Sequence, residues 1–230
     1  MHLLLFDIDG TLVTADHRVA RAAVEDALHT WSGRRLDTTG VDFAGRTDRF
    51  IMQTVLQRNG IAPTEGALNE ALAVYGRAAC EAFAAPDVRA LPGAVALVEA
   101  LAAHPEVQLG LVTGNVEAVA YQKLAFVGCA SYFPFGGFGD EHTDRNDLPP
   151  LAQERAAVHA GRAFAPHRTI IVGDTIHDIG CARAAGVRAV SVCTGAHSRD
   201  QLAQAGPDVL LDAFDGPSHF ITDVLHALRA

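Results

Sequence analysis

The sequence predicts an α/β fold in which a parallel β-sheet lies between layers of helices. Short apolar runs stop at acidic residues or glycine, as residues 3–6 do before Asp7 and residues 169–172 do before Gly173. Such runs are typical of strands buried on both faces of a parallel sheet. Helical patterns separate the runs, and this alternation indicates βαβ units with right-handed crossovers.

The same patterns divide the chain into a core and an insertion. Core strands are predicted at 3–6, 107–112, 169–172, 187–192 and 208–211, and core helices at 94–103, 117–126, 151–159 and 179–185. From about 14 to 88 we predict no strand, only helices at 18–31, 48–58 and 66–83. We therefore expect a Rossmann-like three-layer core of residues 1–13 and 89–230, with residues 14–88 inserted as a helical cap domain.

Composition limits the classes of function. The 230 residues carry a formal net charge of −9, which argues against a general nucleic-acid-binding surface. No apolar run approaches the roughly 20 residues of a membrane helix, and residues 1–6 lack the basic start of a signal peptide. The four cysteines are scattered, as expected for free thiols in a reducing cytosol. We expect a cytoplasmic monomer or homodimer without membrane or nucleic-acid partners.

Acidic residues follow the predicted strands. Asp7 and Asp9 come after the first strand, and Asp174 and Asp178 follow the strand at 169–172. Ligands of open parallel sheets bind at the carboxyl ends of the strands, so these side chains are expected in one crevice. Four carboxylates there would repel one another unless a hard cation such as Mg²⁺ joined them. A single Asp at a strand end is more often a turn or helix-cap residue, but the whole set has no structural use.

Two motifs suggest phosphate chemistry. Asp7 and Asp9 alternate in an extended segment, so both can face the crevice, and Gly10 permits a tight turn beside a phosphate. Thr113, Gly114 and Asn115 follow a strand and precede a helix, where free backbone N–H groups favour an anion. The second motif alone would equally describe an ordinary helix start.

Taken together, three motifs resemble the haloacid dehalogenase superfamily. They are residues 7–11 (DIDGT), Thr113 after its strand, and residues 173–178 (GDTIHD), and the helical insertion resembles the C1-cap subfamily. The resemblance covers essentially the whole chain. It implies that Asp7 is the nucleophile and a Mg²⁺ ligand, and that Asp9 is the general acid and base with its carbonyl on the metal. It also implies that Thr113 binds the phosphoryl group, while Asp174 and Asp178 serve the metal.

The chain departs from the family in one respect. The family usually has a lysine shortly before the third-motif helix, whereas residues 144–147 read DRND. Arg145 is our candidate to bind the phosphate and pair with Asp7, because a guanidinium can do so with two nitrogens. Lys123, the only lysine, is the weaker alternative, since its place within a helix favours a solvated face.

The resemblance implies a phosphatase for a small phosphorylated metabolite. Residues 45–48 precede a cap helix and look like the family's substrate-reading loop, so Arg46 and Thr47 are candidate specificity residues, although a plain helix start explains them equally well. Asp9 favours a phosphatase over a dehalogenase, because a halide leaves without protonation. A phosphomutase and a non-catalytic binding module on the same fold remain open alternatives.

Overall fold

The computed structural model of the chain describes residues 1–226. Its strands are β1 (His2–Phe6), β2 (Val13–Ala15), β3 (Val88–Ala90), β4 (Val107–Val112), β5 (Gly136–Gly137), β6 (Thr169–Gly173), β7 (Arg188–Val192) and β8 (Val209–Leu211). Its helices are α1 (His17–Ser32), α2 (Asp48–Arg58), α3 (Glu65–Ala82), α4 (Ala94–Ala102), α5 (Glu117–Phe126), α6 (Leu148–Ala160), α7 (Ile176–Ala184), α8 (Arg199–Ala205) and α9 (Pro217–His219). A wider helical turn, Phe220–His226, continues α9.

Six parallel strands form the main sheet in the order β5-β4-β1-β6-β7-β8. Strand β1 lies between β4 and β6, with Leu4 opposite Leu109 on one side and Ile170 on the other. Because the three strands are parallel and adjacent, their carboxyl ends share one edge of the sheet. The loops after β1, β4 and β6 therefore meet there.

Both faces of this sheet are covered by apolar side chains. Leu4 and Phe6 of β1 belong to one buried cluster, and Leu3 and Leu5 belong to a second. Successive side chains of a strand point to opposite faces, so the two clusters lie on opposite sides of the sheet. The prediction of a three-layer α/β core is confirmed.

The connections to the cap run side by side as a two-stranded antiparallel ribbon. Val13 pairs with Ala90, and Ala15 pairs with Val88. The prediction of no strand between 14 and 88 is therefore wrong at both edges of that segment. Each ribbon strand has three residues and only one fully buried side chain, so neither has the apolar run that predicts a strand. We retain residues 14–88 as the proposed cap domain.

Two core helices begin earlier than the sequence predicted. Helix α6 begins at Leu148 rather than 151, because proline is tolerated in a first helical turn that needs no N–H donors. Helix α7 begins at Ile176 rather than 179, because Thr175 caps it and Asp178 closes a capping box. The short elements β5 and α8 were not predicted.

The cap is docked on the core through the first turn of α2. The amide of Asp48 donates to the carbonyl of Gly114 at 2.7 Å, and the amide of Arg49 donates to the carbonyl of Gly139 at 2.8 Å. The loops after β4 and β5 carry these acceptors, so the start of α2 lies over the carboxyl ends of the strands.

The four cysteines are free thiols, as the sequence predicted: Cys80, Cys129, Cys181 and Cys193. Within residues 1–226, none of the helices combines the length and the apolar character that crossing a bilayer requires.

Candidate active site

Three carboxylates meet at the carboxyl edge of the sheet. Asp7 follows β1, Asp174 follows β6, and Asp178 lies in the first turn of α7. One oxygen from each lies within 4.8 Å of the others, and the three residues are 5%, 1% and 2% exposed. The structure therefore brings together three of the four carboxylates that were expected to surround a metal.

Burial makes this cluster electrostatically unfavourable by itself. It raises the pKa of Asp7, against the lowering effect of the Arg145 guanidinium. It also raises the pKa of Asp174, and the charges of Asp7 and Asp178 add to that rise. Buried carboxylates this close together resist ionisation unless positive charge joins them. A divalent cation between their oxygens would remove the penalty.

Neighbouring hydrogen bonds hold two of the three carboxylates in place. Asp174 accepts the Thr11 hydroxyl at 3.2 Å and the Ala196 amide at 2.9 Å. Asp178 accepts the amide of Thr175 at 3.0 Å and its hydroxyl at 2.6 Å. Such donors favour the charged form and restrict the rotamer, so the oxygens are pre-positioned for a ligand.

Two glycines allow the backbone to approach Asp174. Gly10 has a φ of +80°, and a Cβ added to it would lie 2.5 Å from Oδ2 of Asp174. A Cβ on Gly195 would lie 1.8 Å from the same oxygen. Gly10 was predicted to permit a tight turn beside a phosphate. In the structure, the side chain that lies closest to this turn is that of Asp174.

Arg145 supplies positive charge to the acidic cluster. Its Nη2 lies 2.6 Å from Oδ1 of Asp178 and 3.2 Å from Oδ1 of Asp7. Nη1 donates to the carbonyl of Gly45, in the cap, at 3.3 Å. Although burial alone would lower it, the pKa of Arg145 is raised by the carboxylates of Asp178 and Asp7, so the guanidinium stays charged. Arg145 was predicted to pair with Asp7, and the two side chains are in contact.

Asp9 lies apart from the acidic cluster and contacts a lysine. Its two oxygens lie 2.9 and 2.7 Å from Nζ of Lys123, and the Asn115 amide donates to Oδ2 at 2.7 Å. Lys123 is only 4% exposed, so the expectation of a solvated face was wrong. Helix α5 packs against cap helix α3, and the Lys123 side chain of α5 lines the floor of the cleft. A single sequence does not reveal which face of such a helix is covered.

The start of α5 is occupied by carboxylates. The amide of Val116 donates to Oδ2 of Asp48 at 2.7 Å, and the amide of Glu117 donates to Oδ1 of Asp140 at 3.2 Å. The predicted phosphate-binding segment is residues 113–115, and the amides of the two residues that follow it are already bonded to carboxylates. Burial raises the pKa of Asp48 to about 7. Asp48 lies in the predicted substrate-reading loop but was not singled out there, because an acidic residue in a first helical turn is ordinary.

Thr113 and Gly114 lie on the floor of the cleft. Thr113 is fully buried, and its hydroxyl accepts the Asn115 side-chain amide at 2.9 Å. A Cβ on Gly114 would lie 2.0 Å from the carbonyl oxygen of Arg46. Only a glycine at this position lets the cap loop approach the backbone after β4 so closely.

The two candidate specificity residues occupy different positions. Arg46 lines the cleft, and its guanidinium lies 4.7 Å from the centre of the Phe50 ring. Thr47 is only 1% exposed; its hydroxyl accepts the Phe50 amide at 3.0 Å and donates to the carbonyl of Thr143 at 2.9 Å. The Thr47 side chain therefore caps α2 and joins the cap to the core, away from the cleft.

The cleft between cap and core has a volume of about 540 Å³. Its floor is polar and belongs to the core, whereas its cap side is largely apolar. The floor includes Asp7, Asp9, Thr113, Lys123, Arg145 and Asp174, and the cap side includes Ala20, Phe43, Ala44, Arg46, Ile51 and Tyr75. This space admits a small molecule with an anionic end directed toward Asp7.

Fold and site together combine a parallel-sheet core, the proposed helical cap and an acidic centre at the strand ends. Residues 4–192 match the haloacid dehalogenase-like hydrolase family, and the chain belongs to that family. The prediction of a phosphatase-type hydrolase of this family is confirmed.

Two named relatives resemble the chain over most of its length. Identity is 30% over 220 residues to a probable phosphatase, IndB, of Dickeya dadantii, covering 92% of this chain and 90% of that protein. Identity is 28% over 235 residues to the phosphoglycolate phosphatase of Salmonella paratyphi A, covering 91% and 88%.

Solved structures share the fold at lower identity. A variant of CbbY from Rhodobacter sphaeroides in complex with xylulose-(1,5)bisphosphate has a TM-score of 0.72 at 19% identity, covering 95% of this chain and 98% of that one. A hydrolase from Pseudomonas syringae has a TM-score of 0.68 at 20% identity, covering 99% of each chain.

Proposed function

We propose that this phosphatase hydrolyses a small phosphate monoester with Mg²⁺ and with Asp7 as nucleophile. The observation that carries the proposal is the position of Asp7. Its carboxylate lies on the cleft floor within 4.8 Å of the oxygens of Asp174 and Asp178, and 3.2 Å from Arg145. An attacking carboxylate, a metal centre and a phosphate-binding cation are thus adjacent.

The residues present fit a magnesium ion. All three oxygens come from buried carboxylates, the hard ligands that Mg²⁺ prefers, and their charges exceed the single charge of Arg145. Asp7, Asp174 and Asp178 would hold the ion, with the carbonyl of Asp9 as the further ligand that the resemblance implies. When bound, the ion would neutralise phosphate charge and let Asp7 ionise.

The chain's own groups can be given roles in two half-reactions. An oxygen of Asp7 attacks phosphorus, the ester P–O bond breaks, and Asp9 gives a proton to the departing oxygen. Asp9 then takes a proton from water, whose oxygen attacks the phosphoryl group and frees Asp7 and inorganic phosphate. The hydroxyl of Thr113 and the guanidinium of Arg145 would bind the phosphoryl oxygens, and the cap would exclude bulk water.

Substrate choice is proposed to depend on the cap side of the cleft. Arg46 offers a cation for a second anionic group, and Phe43, Ile51 and Tyr75 offer apolar contact. Several relatives are named phosphoglycolate phosphatases, which makes phosphoglycolate the first substrate to test. Thr47 is less suited to this role, because its hydroxyl already bridges cap and core.

The test is hydrolysis of p-nitrophenyl phosphate with Mg²⁺, with excess chelator, and with the Asp7→Asn variant. We expect turnover with Mg²⁺ only, and none in the variant. A panel of phosphoglycolate, sugar phosphates and nucleotides would then identify the substrate. Absence of hydrolysis in the wild type would leave the binding-module alternative. Return of the phosphoryl group to a sugar, with a requirement for a bisphosphate, would indicate a phosphomutase.

A further inference from the structure

The only lysine in the chain is buried beneath the cap. Lys123 lies on α5 and is 4% exposed. Its ammonium lies 5.0 Å from the centre of the Phe83 ring, which follows cap helix α3. Burying an ammonium group is expensive unless partners satisfy its charge and its donors. A lysine in this position therefore needs a specific structural or chemical use.

Three acceptor atoms surround the ammonium group. Nζ lies 2.7 and 2.9 Å from the two oxygens of Asp9 and 2.8 Å from Oδ1 of Asn115. An ammonium has three donors, so these contacts use its full capacity. The acidic cluster is served instead by Arg145. On the cleft floor, Lys123 thus contacts Asp9, whereas Arg145 contacts the acidic cluster.

The orientation of Asp9 in turn depends on α5 and on the loop before it. Besides Lys123, its carboxylate accepts the side-chain amide of Asn115 at 2.7 Å. That amide also donates to the Thr113 hydroxyl at 2.9 Å, so the position of Asn115 is itself restricted. The Asp9 side chain is 39% exposed toward the cleft, and these donors supply its polar contacts within the described residues.

We propose that Lys123 is a positioning residue that holds the carboxylate of Asp9 at the cleft wall, in one orientation toward the reacting groups. This inference rests on the proposed function, in which Asp9 takes a proton from the water that releases phosphate. Contacts from Lys123 and Asn115 fix the direction of the Asp9 oxygens, and a general base must lie within hydrogen-bond reach of the proton that it takes. Lys123 therefore acts through Asp9 and does not bind the phosphate.

A burst experiment with p-nitrophenyl phosphate separates these roles. Its leaving group needs little protonation, so attack by Asp7 should survive in Lys123→Met while the water step slows. We expect a burst of one p-nitrophenolate per enzyme, then steady turnover reduced about 100-fold, the lower end of the range for general acid–base catalysis. Asp9→Asn should show the same burst. Adding Lys123→Met to Asp9→Asn should cause no further loss, because the two act as one unit.

Controls test whether loss of a paired cation is itself the cause. Arg188→Met removes a paired cation at the amino end of β7, where Nη1 lies 2.6 Å from Oδ1 of Asp208, and should leave turnover unchanged. Lys123→Arg keeps the charge and should retain more activity than Lys123→Met. An equal loss of kcat/KM without a burst, or additive losses in the double variant, would overturn the proposal and make Lys123 a phosphate ligand.

A second measurement needs neither activity nor a lysine variant. Lysine labelled with ¹³C at Cε gives a single signal in this protein, because Lys123 is the only lysine. Its chemical shift should change clearly in Asp9→Asn and little in Asp7→Asn. The reverse pattern would overturn the pairing, even if the wild type hydrolysed nothing. Failure of the proposed function would appear separately, as absence of Mg²⁺-dependent hydrolysis in the wild type.

Discussion

Nη2 of Arg145 lies 3.2 Å from Oδ1 of Asp7, while Nη1 of the same guanidinium donates to the carbonyl of Gly45 in the cap. One side chain thus contacts both the proposed nucleophile and the loop that closes over it. The guanidinium reaches these two acceptors with two separate nitrogens, whereas a lysine would have to reach both with one. Arg145, our proposed counterpart of the family's lysine, thus links cap position to the proposed nucleophile.

This geometry predicts different effects for two Arg145 variants. Arg145→Ala should lower kcat/KM by about 100- to 1,000-fold, the loss typical of removing one charge-stabilising donor. Arg145→Lys keeps the charge beside Asp7 but loses the cap contact, so its loss should be smaller. Lys123→Ala should also cost less than Arg145→Ala. Steady-state kinetics on folded variants checks this, and a larger loss in Lys123→Ala would give the phosphate-binding role to the lysine.

Asp7→Asn should abolish turnover while stabilising the metal-free protein. Its carboxylate is buried near Asp174 and Asp178, and each like charge removed relieves repulsion in the native state. Thermal unfolding with chelator should show a midpoint a few degrees higher. A change of about 1 kcal/mol in the free energy of unfolding shifts the midpoint of a chain of this size by about 2–4 °C. Retained activity in this variant would remove Asp7 from the nucleophile role.

Mg²⁺ should raise the unfolding midpoint, and more strongly at higher pH. Burial raises the pKa of Asp174 and of Asp7, and ligands must be ionised to bind a cation, so affinity should increase from pH 6 to pH 8. Free Mg²⁺ at 100 times its Kd would raise the free energy of unfolding by about 2.7 kcal/mol. Titration calorimetry measures the affinity. Asp174→Asn should lose most of the effect, and an unchanged affinity in that variant would contradict the proposed centre.

Asp48→Asn should stabilise the protein more at pH 8 than at pH 5. The folded pKa of Asp48 is about 7 against an ordinary 3.8, so the folded state binds more protons than the unfolded state between these values. The stability contributed by this group is therefore present at low pH and declines as pH rises through 7. Asparagine cannot ionise and removes that decline.

Chemical unfolding with chelator at the two pH values measures the Asp48 effect. Asp26→Asn is the control, because it makes the same change of charge at an exposed position of α1. It should not alter the pH dependence. Equal stabilisation by Asp48→Asn at both pH values would show that the buried carboxylate is not the cause.

Gly114→Ala should impair activity by displacing the cap loop. The added Cβ would lie 2.0 Å from the carbonyl oxygen of Arg46, so the loop that carries Arg46 must move. We expect KM for an anionic substrate to rise about tenfold or more, since small misplacement of binding groups is costly. Gly66→Ala in α3, where a Cβ meets nothing within 4 Å, is the matched control and should be neutral. Equal effects of the two changes would refute the close-approach argument.

The order of strands and helices could be predicted from the chain alone, because apolar runs and helical periodicity depend on local sequence. The main strands and the three cap helices lie within a few residues of their predicted ranges. The short ribbon of β2 and β3 escaped prediction, because each of its strands buries too few side chains to leave a pattern.

Sequence by itself determined the acidic centre of this protein. Asp7, Asp174 and Asp178 lie at or just beyond the carboxyl ends of parallel strands, and the rules of such sheets bring those ends together. Only the tertiary structure decided the position of Lys123. Arg145 contacts Asp7 as the sequence predicted, whereas Lys123 pairs with Asp9 across 114 positions of sequence. That partnership depends on how α5 packs beneath the cap, and long-range packing of this kind has no local signature in a single sequence.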